Sequence, residues 1–148
     1  MKLSDLMTQY TRTKFATDSG AATHAKKQHV VIGPDQCAGN ADLIAHLRQM
    51  PEIIDLFAPD ARTEVPVAGT ISGKFISRRI DRLRVDVAAK TVHFIDYKTD
   101  TNPDARRDSY LIQMREYAQL LKKIYPGYQI SGHLLWMHNW TLEPIRID

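Results

Sequence analysis

Hydrophobic residues recur at helical intervals in the first part of the chain. Apolar positions spaced three or four apart predict a helix over residues 3–16, and a serine at the start of 19–27 can cap a second, shorter one. The Gly, Pro and Cys positions of 33–39 predict a loop. A third helix around 43–47 and a helical piece over 51–57 complete a mainly helical region, residues 1–60.

From residue 62 the pattern changes to short stretches in which apolar and polar residues alternate. Such alternation is typical of strands, and glycines and the Ala88-Ala89-Lys90 turn separate the stretches into a three-stranded antiparallel meander. A helix-like stripe of apolar and aromatic residues then spans 110–124, and two further strands follow it. The predicted strands are 62–68, 74–87, 91–97, 129–137 and 140–147. This order predicts an α/β domain in which helices flank a mixed central sheet.

Composition agrees with one folded domain spanning residues 1–148, with 61–148 as its core. Hydrophobic residues make up 43% of the chain and charged residues 25%, close to the globular average. The longest apolar runs are a few residues long, so we expect no membrane span, and the polar N-terminus favours a cytoplasmic location. One cysteine excludes an internal disulfide and a cysteine-rich metal cluster.

The positive charge is unevenly distributed. The net charge is +3, which permits contact with a phosphate backbone without requiring it. Arginines cluster around one acidic residue, Asp81, at positions 78, 79, 82 and 84. This clustering is more informative than the total charge.

Candidate chemistry lies on the second and third strands of the meander. Side chains alternate along a strand, so Asp96 and Lys98 point to the same side. By the same alternation Asp81 shares a side with Phe75 and Leu83, within a half-apolar face. A carboxylate among such positions requires a partner.

If these two strands pair through their short turn, Asp81 and Asp96 can approach one another and share a divalent cation. Magnesium commonly binds through one or two carboxylates together with water and substrate phosphate oxygens. Lys98 would then stabilise negative charge in phosphodiester hydrolysis. The alternative is an ordinary surface ion pair, and spacing alone does not separate the two interpretations.

Several motifs in this region resemble the RecB-like nucleases of the PD-(D/E)XK superfamily, which include the C-terminal nuclease domains of RecB and AddA helicase-nucleases. Ile80-Asp81-Arg82-Leu83 resembles the family's I-D-R-L segment, and Ile95-Asp96-Tyr97-Lys98-Thr99 resembles its D-Y-K-T segment. Gln113 and Tyr117, with Tyr110 before them, match its Q-x-x-x-Y helix. The resemblance covers about residues 60–121, and Arg78 departs from it, because the family commonly has glycine there.

The resemblance implies a restriction-endonuclease-like core and assigns roles to individual residues. Asp81 and Asp96 would hold Mg²⁺ or Mn²⁺, and Lys98 would be the catalytic lysine. Glu64 would be a further catalytic-site residue that binds a metal through water or orients a ligand. His24 would join the metal shell, with a structural histidine as the alternative. DNA contacts are assigned to Arg79, Arg82, Tyr110, Gln113 and Tyr117, although a core role for Tyr117 is the alternative.

The function expected from these residues is metal-dependent hydrolysis of DNA, as an exonuclease in double-strand break repair or recombination. No nucleotide-binding G-x-x-x-x-G-K-[ST] loop occurs in the chain, so a helicase motor would belong to another domain or subunit. Two alternatives are an inactive DNA-binding module and a restriction or mobile-element endonuclease on the same fold. The presence of Asp81, Asp96 and Lys98 argues against the inactive module.

Overall fold

The computed structural model describes residues 31–32, 37–38 and 41–147 and has a mixed five-stranded sheet at its centre. Two short strands, β1 (Val31–Ile32) and β2 (Cys37–Ala38), pair antiparallel ahead of this sheet. The elements that follow are α1 (Ala41–Arg48), a 3₁₀ turn (Ile54–Phe57), β3 (Arg62–Ile71), β4 (Lys74–Asp86), β5 (Thr91–Lys98), a 3₁₀ turn (Pro103–Ala105), α2 (Arg107–Ile124), β6 (Gln129–Trp136) and β7 (Thr141–Pro144). The prediction of an α/β fold with a mixed sheet is confirmed.

The order of strands in the sheet is β3-β4-β5-β6-β7. All neighbours are antiparallel except β5 and β6, which run parallel because α2 crosses over between them. A two-residue turn joins β3 to β4, and both of its residues have positive φ, 50° at Ser72 and 78° at Gly73. That backbone shape matches the twist of a tight hairpin and is the place where glycine is favoured.

The sheet is covered on both faces. On one face α2 packs Met114, Tyr117, Leu120 and Leu121 against buried residues of the strands. On the other face α1 and the first 3₁₀ turn cover Ile95, Tyr97 and Leu135. The central strand β5 is therefore buried on both sides, as its nearly continuous apolar sequence indicates.

Two predictions for the region before residue 60 need correction. Residues 51–57 form turns and a short 3₁₀ helix rather than an α-helix. The 3₁₀ geometry aligns residues three apart, which brings Ile53 and Leu56 together into the core. Strand β2 lies within the predicted loop 33–39 and pairs with β1, which directly precedes that loop. The two predicted helices over 3–16 and 19–27, and His24, lie outside the described residues.

No helix among residues 31–32, 37–38 and 41–147 combines the length and the apolar character that a bilayer span needs.

Candidate functional site

The pairing between β4 and β5 stops beside Asp81. The ladder runs from Asp86↔Thr91 to Arg82↔Ile95, and beyond it β4 pairs with β3 alone. The carboxylate of Asp81 continues the contact, because its Oδ2 accepts a hydrogen bond of 2.9 Å from the backbone N–H of Tyr97. A side chain thus replaces a backbone partner where the two strands separate.

β4 also changes the face that it presents to α2 at this point. Ile80 and Leu83 both belong to the core under α2, although strict alternation would put them on opposite faces. On the adjacent strand Glu64, which the register sets opposite Asp81, has a positive φ of 51°, and the ladder omits this one pair. Ile76 and Ile80 both lie in the core under α2, so Phe75 points to the other face, and the change of face after Ile80 separates it from Asp81. The prediction that Asp81 shares a face with Phe75 is therefore wrong.

The two aspartates lie together in the protein interior. Asp81 is 5% exposed and Asp96 is 4% exposed. Burial, and next the neighbouring Asp81 carboxylate, raise the pKa of Asp96 to about 7, against the opposing effect of Lys98. Two carboxylates held this close in a low-dielectric setting repel one another when both are ionised.

Lys98 is fixed beside the pair by three different groups. Its Nζ lies 2.7 Å from Asp96 Oδ2 and 3.3 Å from Gln113 Oε1, and it stands 4.1 Å from the centre of the Tyr110 ring. Burial alone would lower the pKa of Lys98, but Asp96 and then Asp81 outweigh it and the pKa is raised. The ammonium therefore stays charged at neutral pH in a defined position.

These contacts bring five of the predicted site residues into one cluster from three elements. Asp81 comes from β4, Asp96 and Lys98 from β5, and Tyr110 and Gln113 from α2. We call this cluster the carboxylate–lysine site.

Two residues around Tyr110 were missed by the sequence analysis. The Tyr110 hydroxyl donates to Asp100 Oδ2 at 2.9 Å. The exposed Arg106, one helical turn earlier, also contacts this hydroxyl, and the pKa of Arg106 is raised by that hydrogen bond. The signal for Asp100 was available, because it lies two positions after Lys98 in the sequence.

Tyr117 and Glu64 lie next to the carboxylate–lysine site. Tyr117 is buried in the core under α2, and its hydroxyl donates to the backbone carbonyl of Arg79 at 3.2 Å. It supports β4 two residues before Asp81. The Glu64 carboxylate lies 3.7 Å from the Arg79 guanidinium at the rim of the same strands. Arg78, where the resemblance leads one to expect glycine, reaches to Glu116 of α2 at 3.3 Å.

Arg82 occupies a different environment from the one predicted for a DNA contact. Its side chain is 2% exposed, its guanidinium lies 4.3 Å from the centre of the Phe57 ring, and it donates to the Leu56 carbonyl at 3.0 Å. This is the sheet face opposite α2, so the placement does not fit a phosphate contact. Arg82 lies on this face because adjacent residues of a strand point to opposite faces, and Asp81 points to the other one.

The donor set of the carboxylate–lysine site fits a hard divalent cation. Two adjacent carboxylates that repel each other when both ionised are the oxygen ligands that Mg²⁺ or Mn²⁺ takes, with water filling the remaining positions. Among the described residues no group of three or more His, Cys, Asp or Glu side chains is arranged to enclose a metal. The site would therefore offer two protein ligands and leave room for substrate oxygens.

Comparison with models of known protein families finds no match to this chain. Comparison with curated proteins finds none either.

Proposed function

We propose that this chain is a metal-dependent deoxyribonuclease that hydrolyses phosphodiester bonds on a restriction-endonuclease-like core. The observation that carries the proposal is the buried Asp81–Asp96 pair at the point where β4 and β5 separate, with the Lys98 ammonium fixed 2.7 Å from Asp96. Structural ion pairs give little reason to bury two like charges together, whereas a cation-assisted hydrolase requires both.

In this proposal each residue has a distinct task. Asp81 and Asp96 hold Mg²⁺ or Mn²⁺, and the bound cation supplies Lewis-acid stabilisation of phosphate charge and a more acidic water. Lys98 stabilises the charge that develops on the phosphate oxygens, which it can do without reorganising because Gln113 and Tyr110 hold it in place.

In this proposal the DNA backbone contacts exposed, positively charged residues beside the carboxylate–lysine site. Arg79 on β4 and Arg106 at the start of α2 are both exposed cations beside the cluster. Their charge suits the DNA backbone, which attracts cations regardless of sequence. We propose a cytoplasmic exonuclease of break repair or recombination that receives DNA ends from a helicase domain or subunit.

The decisive assay uses the full chain with matched end-labelled linear and closed circular DNA, in Mg²⁺, in Mn²⁺ and in EDTA. The expected result is loss of linear DNA from its ends with either metal, and none in EDTA. Cutting of the circle would instead indicate an endonuclease. Binding without cleavage under every condition would favour an inactive DNA-binding module and overturn the proposal.

The two arginines on either side of Ile80 and Asp81 provide a matched pair of variants. Arg79→Met is expected to weaken DNA binding several-fold and to leave stability within about 0.5 kcal/mol, because Arg79 is exposed. Arg82→Met is expected to cost about 1–3 kcal/mol of stability, because it leaves the buried Leu56 carbonyl without its charged donor. Urea denaturation and DNA binding at two salt concentrations measure both effects. The reverse pattern would contradict the assignment of Arg82 to the core.

A further inference from the structure

The β3–β4 hairpin has one buried face and one exposed face. The residues that point towards α2, such as Val67 and Ile76, are buried in the core. The residues that alternate with them point the other way, and the strand register sets them opposite one another in three cross-strand pairs. All six are exposed, and we call them the open hairpin face: Pro66 and Arg79, Ala68 and Ser77, Thr70 and Phe75.

The open hairpin face is flat and carries one aromatic ring. Apart from Phe75 and Arg79, its side chains are small. The Phe75 side chain is 68% exposed, so the ring stands in solvent above its small neighbours. A single exposed apolar residue needs no partner for its own sake. The charges around Phe75 indicate which partner this face fits.

The hairpin is positively charged. Residues 65–71 and 74–80 contain no Asp or Glu, and their basic residues are Lys74, Arg78 and Arg79. Lys123 of α2 adds a cation, because its Nζ donates to the backbone carbonyl of Thr70, the cross-strand partner of Phe75. Glu116 and Glu64 each pair with one of the arginines, which leaves an excess of positive charge. Such a surface attracts a polyanion.

The same charges argue against two other occupants of this face. Residues 1–30 carry an excess of basic over acidic residues: Lys2, Arg12, Lys14, Lys26 and Lys27 against Asp5 and Asp18. A second copy of the hairpin would bring the same positive charge as the first. Neither complements the open hairpin face, whereas a nucleic-acid backbone does.

We propose that the open hairpin face binds single-stranded DNA, with a base stacked on Phe75 and the phosphates drawn to the surrounding cations. This inference rests on the proposed nuclease function and names the form of DNA that the chain receives. Aromatic side chains hold single strands by stacking on bases of any sequence, and basic residues follow the backbone. In a duplex the bases are already stacked on one another, so a ring on a flat sheet cannot reach them.

Strand β4 connects this face to the carboxylate–lysine site. The β4–β5 ladder ends at Arg82↔Ile95, so the part of β4 that carries Phe75 extends beyond it. About 20 Å of strand separates Phe75 from Asp81, at about 3.3 Å per residue. A single strand that stacks on Phe75 and follows β4 therefore reaches the point where β4 and β5 separate, beside Asp81.

Fluorescence anisotropy in EDTA tests the inference without any hydrolysis. The probes are a labelled oligothymidine and a blunt duplex of the same length. Phe75→Ala is expected to weaken binding of the single strand about 5–100-fold and binding of the duplex less than about two-fold. Phe75→Trp keeps an aromatic ring and is expected to retain binding. Val87→Ala is the matched control, because Val87 is 70% exposed in the β4–β5 turn.

Two results of this assay would overturn the inference. One is equal affinity of the wild type and Phe75→Ala for the oligothymidine, which includes no binding by either. The other is an equal loss for the duplex. Cleavage of DNA by a chain that gives either result leaves the proposed nuclease function intact. Binding that depends on Phe75, in a chain that cleaves with neither metal, overturns the nuclease function alone.

Hydroxyl-radical footprinting shows directly what covers Phe75. In the free protein its ring is expected to be oxidised readily, and saturating oligothymidine is expected to protect it. Protection without DNA contradicts the proposal. It would show that residues 1–30 cover the face or, where protection rises with protein concentration, that a second copy does.

Discussion

Asp96→Asn is expected to reduce DNA hydrolysis by about 10²–10³-fold or more and, at the same time, to stabilise the protein in EDTA. Activity falls because a neutral amide is a poor partner for a divalent cation and one preorganised charge is lost. Stability rises because the substitution removes a buried charge and its repulsion from Asp81, while the asparagine oxygen can still accept from Lys98. The gain should be about 1 kcal/mol or more, since one unit of pKa corresponds to about 1.4 kcal/mol.

The stability gain has a defined pH dependence. The pKa of Asp96 in the folded protein is raised to about 7 from 3.8. Between these two values the unfolded chain loses a proton that the folded protein keeps, so the wild type loses stability as pH rises from about 4, and this loss is complete above about pH 7. The gain from Asp96→Asn is therefore expected to be complete above pH 7 and to fade as pH falls towards 4, where Asp96 is protonated in both the folded and the unfolded wild type. Urea denaturation in EDTA across this range measures it.

The control for this variant is Asp104→Asn, which alters an exposed aspartate in the second 3₁₀ turn. Both its activity and its stability are expected to match those of the wild type. Undiminished cleavage by folded Asp96→Asn would remove the proposed mechanism. A loss of stability in that variant at pH 8 would show that the carboxylate pair is not repulsive.

Gly132→Ala is expected to lower the free energy of unfolding by about 1–3 kcal/mol, the usual cost of overfilling a packed core. Gly132 on β6 lies beside Phe94 on β5, and an added Cβ would stand 2.4 Å from Phe94 Cζ and 2.6 Å from its Cε1. The ring is fully buried, so it cannot turn aside into solvent. Urea denaturation measures the change.

Two further variants separate the Phe94 contact from the general effect of replacing glycine in a strand. Gly69→Ala is expected to cost less, because its nearest atom, 2.9 Å away, is the end of the flexible Leu120 side chain. Adding Phe94→Leu to Gly132→Ala is expected to recover part of the loss, and a double-mutant cycle gives the coupling energy. Equal costs at Gly132 and Gly69 would contradict the packing argument.

Much of the core region could be predicted from its pattern. The three meander strands, the long helix and the two final strands lie within a few residues of where alternation and helical spacing placed them. These elements could be predicted because each has a local periodicity that matches one buried face. The short 3₁₀ turn at Ile54–Phe57 was not, since four residues give too little pattern to separate it from an α-helix.

Part of the candidate site could be predicted from the sequence. Asp96 and Lys98 share one strand, and Gln113 lies on the matching helix, so their types and spacings marked them out. The burial of Arg82 could not be predicted from the sequence. A cluster of arginines has the same sequence pattern whether one of them contacts DNA or packs against the Phe57 ring. Which of the two it faces depends on what covers each side of the sheet.

The sequence alone determined the order of the elements, the alternation that pairs Asp96 with Lys98, and the apolar stripe of α2. Tertiary structure decided the rest: β4 turns over at Asp81, with Glu64 in a left-handed conformation opposite, and Asp55, His93 and His133 meet from three separate segments. The physical reason is that periodicity predicts the local conformation of a segment and which of its faces is buried, but not which distant segments pack against it. Contacts between residues 38 or 40 positions apart depend on strand order, register and twist, which are properties of the assembled sheet.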